Sequence, residues 1–312
     1  MQTARQHALG IILVLAAALL WSFSGVAVKN LPNLDSMVIT GYRSLFTIGV
    51  YVVAILVLAG PRRSPLILRE ALSRKAVLTS AAFYSLMLIL FISATKLTTA
   101  ANAIFLQYTA PVYVALLSRP LLGEPVGRLE WVTFFFCFLG MGCFFGDQLS
   151  TGGMIGNIAA ILSGIACGLN MLSLKFLSLE TQTGEGAMGN RSRLLRALPA
   201  SLLGNLITVV ICIPWMHATV PQTSQEWTIL ALMGVFQLGV PYLLFNIGIL
   251  WISAIEGVLF AMLEAILNPI WTAWGAGEYP GPWAIVGGLL ILGSISVFGL
   301  LKNRQIGTAP TS

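Results

Sequence analysis

Of 312 residues only 9% are charged and 57% are hydrophobic, with 17 Lys and Arg against 11 Asp and Glu. A soluble domain carries about 25% charged residues, so a water-soluble fold, a disordered chain and a coiled coil are excluded. What remains is an all-α or barrel protein that buries its surface against lipid.

Every backbone polar group must be satisfied inside a bilayer, which leaves helices and closed barrels. Barrel strands alternate apolar and polar residues. The apolar runs here are continuous and about twenty residues long, enough to cross about 30 Å of hydrocarbon as a helix. Ten are predicted: 8–28, 36–59, 76–95, 98–118, 128–146, 154–174, 196–216, 228–250, 254–276 and 281–301. Short Pro, Gly or charged connections separate them, such as Gly60-Pro61, Gly123-Glu124-Pro125 and Tyr279-Pro280-Gly281-Pro282. The first run follows Arg5, has no small-x-small cleavage pattern before Lys29, and reads as a retained helix and not a signal peptide. Cys137, Cys143, Cys167 and Cys212 all lie inside runs, where cysteine behaves as a small hydrophobe. Their spacing matches neither a zinc site nor a disulfide framework.

The formal charge of +6 is unevenly placed. With the N-terminus in the cytoplasm, inner loops and tails hold Arg5, Arg62, Arg63, Arg69, Arg74, Lys75, Arg119, Arg128, Lys175, Arg191, Arg193, Arg196, Lys302 and Arg304. That is fourteen of the seventeen basic residues. This is the positive-inside bias and sets both termini in the cytoplasm. No motif or aromatic interleaving supports a nucleic-acid partner.

An offset of about 150 residues exposes an internal repeat. Gly10 to Leu31 lies over Gly156 to Leu177, each stretch carrying Lys (Lys29, Lys175) near its end. Further along, Phe91 meets Phe245, Ala100 meets Ala254, Pro111 meets Ala265, and Gly123-Glu124 meets Gly277-Glu278. Residues 1–150 and 151–312 are therefore expected to be two five-helix repeats. An odd number of helices makes the second copy enter from the opposite side. Such inverted repeats build many secondary transporters, where one half rocks against the other about a midplane site.

The stretch from Pro111 to Gly123-Glu124-Pro125 resembles the Pro…Leu-Gly-Glu helix ending of the drug/metabolite transporter (DMT) superfamily, EamA type. Met262-Leu263-Glu264-Ala265…Gly277-Glu278 is similar to that family's second-half ending, with Ala265 where Pro is usual. Trp21 and the Arg near the start of the second run also match. The resemblance covers roughly residues 8–301. It implies a ten-helix transporter of small organic solutes, with the fifth and tenth helices peripheral. Two departures bear on pocket shape: the missing Pro at 265 points to a helix bend displaced to Pro269, and Arg119-Pro120 interrupts the fourth helix.

Ionisable groups in hydrocarbon cost about 2.5–3.5 kcal/mol and usually face a cavity or a partner. Glu264 lies about 15 Å along the ninth run, at the midplane. Two readings stand: it contacts substrate or handles a proton, or it is a structural carboxyl. Glu256, Phe260, Glu264, Asn268 and Thr272 recur every four residues as a stripe able to face a central path, and Glu256 reads as a solvated structural acid. Arg43, roughly 10–12 Å from the outer end of its helix, either binds a carboxylate or snorkels and holds its helix to neighbours. The remaining candidate lining is Trp21, Tyr84, Asn102, Tyr108, Asn170, Gln237 and Asn246, with Gln107, Met87, Phe91 and Tyr242 in the same polar or aromatic stripes. Pro111, Pro241 and Pro269 are candidate bend points.

No Walker A segment, zinc signature, nucleophile elbow or dinucleotide fingerprint occurs, so neither an enzyme nor a cofactor is expected. His7 and His217 lie near ends of the spans and form no relay across the membrane. The sequence thus reads as an alternating-access transporter of small metabolites, foremost an amino-acid or derivative exporter of a bacterial inner membrane. Protons are a candidate coupling ion, and monomer and homodimer both stay open. An exporter of hydrophobic cations and an uptake permease are the alternatives.

Overall fold

The computed structural model describes residues 4–98, 100–145, 153–179, 190–276 and 282–308. It is all-α, 87% helix, with no strand among the described residues. The first run is α1 (Ala4–Trp21) plus α2 (Ser24–Lys29), and the second is α3 (Ser36–Ala59). A short helix, α4 (Ser64–Ser73), precedes α5 (Lys75–Leu97). The fourth run is divided into α6 (Ala100–Gln107) and α7 (Ala110–Leu122), followed by α8 (Arg128–Phe145). The second half holds α9 (Met154–Leu179), α10 (Asn190–Ala218), α11 (Ser224–Leu232), a π-helical turn over Met233–Gly239, α12 (Val240–Gly248), α13 (Ala254–Ala261), α14 (Leu263–Ala276) and α15 (Pro282–Thr308).

Among the described residues, seven stretches are long and apolar enough to cross a membrane singly: Arg5–Val28, Ser36–Ala59, Lys75–Leu97, Met154–Leu179, Arg191–Ala218, Ser224–Gly248 and Ile285–Lys302. The fourth and ninth runs are each split in two and the fifth, α8, is not among the seven, so the count of ten is not reached by single spans alone. Local chemistry explains the ends. The Asp35 side chain accepts from Met37 N at 2.7 Å to start α3, an N-cap that satisfies an orphan donor. Gly123 ends α7 at φ 70°, with its N–H on the Arg119 carbonyl, a left-handed C-cap that favours glycine. The core lies where α5 packs on α9, α10 on α3 and α5, and α1 on α12; α8 and α15 pack on each other.

At one end of the bundle charged side chains sew the halves together. His7 Nε2 lies 2.9 Å from Glu256 Oε1, with both groups almost fully buried. Glu256 also closes a capping box with Ser253 at the start of α13. Lys175 Nζ donates to the carbonyls of Ile249 (2.8 Å) and Ile252 (2.6 Å) and sits 3.6 Å from Glu124. Glu124 Oε2 in turn accepts from Ala254 N at 2.9 Å. Arg193 donates to the Ser178 and Leu250 carbonyls, and Lys302 pairs with Glu130 at 2.6 Å. This is the basic end. At the far end the seam is neutral: Asn157 Oδ1 accepts from Thr98 Oγ1 at 2.7 Å and from Asn102 Nδ2 at 2.9 Å.

Several expectations need correction. Glu256 is not solvated: it is 3% exposed, because α1 reaches far enough to lay His7 over the start of α13. The stripe Glu256–Thr272 does not face one path, since a turn at Met262 interrupts its four-residue register and Phe260 packs on Phe298 of α15. That turn is the bend of the ninth run, three residues before Ala265; α14 continues unbroken through position 269. Pro120 lies inside α7 without ending it. The Gly277-Glu278 ending falls outside the described residues.

Candidate substrate site

Helices break at three places deep in the bundle: Ser22–Phe23 between α1 and α2, Tyr108–Thr109 between α6 and α7, and Met262 between α13 and α14. Irregular backbone at membrane depth is tolerated only where it is buried in protein or lines a cavity. A central cavity adjoins all three breaks, with about 680 Å³ of empty space including its mouth. Its wall is Trp21 from α1, Arg43 from α3, Met87, Leu88 and Phe91 from α5, and Gln107, Tyr108, Ala110 and Pro111 around the second break. Cys167 and Met171 of α9, Gln237 and Leu238 of the π-helical turn, Tyr242 of α12, Val258 and Ala261 of α13, and Glu264 of α14 complete it.

The wall carries one cation and one acid. Arg43 is only 2% exposed, so it does not snorkel. Its Nη1 meets Gln237 Oε1 at a long 3.5 Å, and its Nε has no hydrogen-bond partner among the described residues. Glu264 accepts from the Tyr108 hydroxyl at 2.9 Å, which also lies 3.3 Å from the Ala261 carbonyl. The break before α7 places Tyr108 to make both bonds. Neither Arg43 nor Glu264 forms an ion pair among the described residues, although both line the same space. An unpaired buried charge is expensive, and a cavity that presents two of opposite sign can stabilise a ligand bearing both.

Aromatic rings back this wall. Trp21 meets Tyr242 edge-on at 4.9 Å and Phe245 at 5.6 Å, and Tyr84 meets Tyr242 at 4.8 Å. The buried indole Nε1 of Trp21 has no partner among the described residues.

Of the ten residues singled out from sequence, Trp21, Arg43, Tyr108, Gln237 and Glu264 line the cavity. Tyr84 stands behind Tyr242. Asn102 belongs to the far-end seam. Asn246 donates to the Tyr242 carbonyl one turn back, Asn268 donates to Ser24 Oγ at 3.1 Å, and Asn170 is buried on α9. Sequence reasoning passed over Cys167, Met171 and Leu238, which look like core residues on their own. A signal existed for Cys167: it is the counterpart of Trp21 when Gly10 is laid on Gly156. No cluster of three or more His, Cys, Asp or Glu suited to a metal occurs among the described residues.

Residues 8–146 match the EamA-like transporter family. No curated protein matches the chain in sequence. A solved crystal structure superposes with a TM-score of 0.75 over 94% of this chain and 97% of that one, at 18% identity, a likeness of fold.

Proposed function

We propose that this chain, whose residues 8–146 place it in the EamA-like transporters of the DMT superfamily, is a secondary transporter that moves small zwitterionic metabolites by alternating access, foremost amino acids or their derivatives, outward across a bacterial inner membrane. The observation that carries the reading is that Arg43 and Glu264 line one cavity and neither has an ion partner among the described residues. Arg43 would receive the carboxylate and Glu264 the ammonium, while Tyr108, Gln237 and Trp21 offer hydrogen bonds between them. A proton on the Glu264 carboxyl would be the coupling ion.

The ten-span inverted repeat is part of the same proposal, with the basic end in the cytoplasm. What supports it is the correspondence of contacts. Laying Gly10 on Gly156 pairs Trp21 with Cys167, and laying Pro111 on Ala265 pairs Leu88 with Tyr242, Gln107 with Ala261, and Ala110 with Glu264; all eight line the cavity. The breaks at Tyr108 and Met262 also correspond. Gly10 packs against Gly248 and Ile252, and Gly156 against Leu97 and Thr98, the counterpart segment. The packing of α9 on α5 answers that of α1 on α12, while α3 with α10 and α8 with α15 map onto themselves. A site on such an axis is where two rocking halves meet.

Trp21, Tyr242 and Phe245 favour a second reading, export of hydrophobic cations, since aromatic faces attract cations. Arg43 in the same wall counts against it. Counterflow in proteoliposomes separates the two. Labelled neutral amino acids should exchange, and Glu264→Gln and Arg43→Gln should each reduce exchange about a hundredfold. The corresponding amines, lacking the carboxylate, should be refused. Exchange of amines or quaternary dyes in preference to amino acids would overturn the zwitterion reading.

A further inference from the structure

The break in α1 has a second consequence, on the lipid side. As far as Trp21 the helix packs along α12; beyond Phe23 the chain continues as α2 and packs on α14 instead. The turn is fastened there: Trp271 Nε1 donates to Ser22 Oγ at 2.8 Å, Asn268 Nδ2 to Ser24 Oγ at 3.1 Å, and the Phe23 ring stacks on Trp271 at 4.8 Å. Gly25 lies so close to the Asn268 amide that a side chain there would collide. By leaning on α14, α2 draws away from α11 and the π-helical turn.

The gap is a groove with about 990 Å³ of empty space. Phe23, Val26 and Ala27 form one wall and Leu232 and Phe236 the other, with Asn30 at the far-end rim. Gln237 is its inner end, and Gln237 also lines the central cavity. Among the described residues, two long contacts hold that amide, 3.5 Å to Arg43 and 3.4 Å to the Trp21 carbonyl. It stands in a π-helical turn, a distortion that recurs at functional sites. In the second half α9 runs unbroken where α1 breaks, and packs along α5.

We propose that this groove is a side passage that receives the apolar tail of a substrate whose charged head lies between Arg43 and Glu264, with Gln237 as the shutter between them. The head-group part rests on the zwitterion reading above; the tail part rests on the groove and its continuity with the cavity. Its occupant is therefore an amphiphile, an amino acid with a long alkyl side chain. A membrane lipid filling the groove without reaching the cavity is the competing occupant.

The test uses the full chain in proteoliposomes and straight-chain amino acids with side chains from methyl to octyl. Ala27→Trp, which fills the groove, should cut octyl uptake at least about tenfold while leaving methyl uptake unchanged. Equal loss of both, or loss of neither, would overturn the passage while leaving the zwitterion reading intact. A second measurement on the unmodified protein depends on neither folding of the variant nor transport. An octyl amino acid with a diazirine at its tail should photolabel α2 or α11 in competition with the methyl analogue. Labelling spread over the lipid faces of α8 and α15, or insensitive to the competitor, would overturn the proposal.

Discussion

The two ends of the bundle solve one packing problem with different chemistry. In the proposed repeat Glu256 and Asn102 are counterparts, as are Ile252 and Thr98. At the basic end Glu256 meets His7, while Lys175 and Arg193 hold the carbonyls that terminate α12. At the far end Asn102 and Thr98 share Asn157 in a neutral network. Removing charge from water costs several kcal/mol per ion, and the partners repay it only when geometry is good. A charged seam therefore contributes register more than net stability. Once it opens to water its members are rehydrated, whereas a neutral amide network changes little in solvation. The basic end is closed in this structure by groups that water would readily accept.

Lys175→Ala tests this contrast most severely. Two carbonyls and the Glu124 carboxylate would lose their shared donor in a site where Lys175 is 5% exposed. Thermal unfolding in detergent should register a loss of about 3–5 kcal/mol, the cost of breaking a buried pair from one side. A loss under about 1 kcal/mol would mean that water already solvates this end, and the contrast would fail.

His7 and Glu256 come next. A double-mutant cycle of His7→Ala with Glu256→Gln isolates their coupling, because Gln keeps an acceptor for Ser253 N and removes only the charge. The expected coupling is about 1–3 kcal/mol. A value near zero would make the capping box, and not the contact with His7, the reason Glu256 stands there.

Much of the fold was legible before any coordinates, because lipid demands long unbroken apolar runs and those survive in sequence. The cavity was legible where a residue is costly to bury: Arg43, Glu264, Gln237, Tyr108 and Trp21 stand out against an apolar helix. It was hidden where the lining is itself apolar, as at Met171 and Leu238. For the asparagines, sequence does not say which polar group each side chain meets. Asn102, Asn246 and Asn268 bond to other helices or to backbone, the commoner use of such groups in membranes. The π-helical turn left no pattern to read, and neither did the placement of the ninth-run bend at Met262, which follows its counterpart at Tyr108 and ignores the missing proline. His7 looked like a terminal residue because sequence does not say what a helix end will cover.

The smallest effect belongs to the far end. Asn157→Ala removes the acceptor shared by Thr98 and Asn102 but strands no charge, so unfolding should shift by only about 1–2 kcal/mol. Asn157→Asp sharpens the point. It keeps both hydrogen bonds and adds a charge, bringing the chemistry of the far end closer to that of the basic end. The carboxylate should then favour a hydrated, open far end, and a cysteine placed at Thr98 should react faster with a water-soluble thiol reagent in the Asp variant than in the parent. Equal reactivity would show that charge does not set which seam opens, and the difference between the two ends would reduce to packing alone.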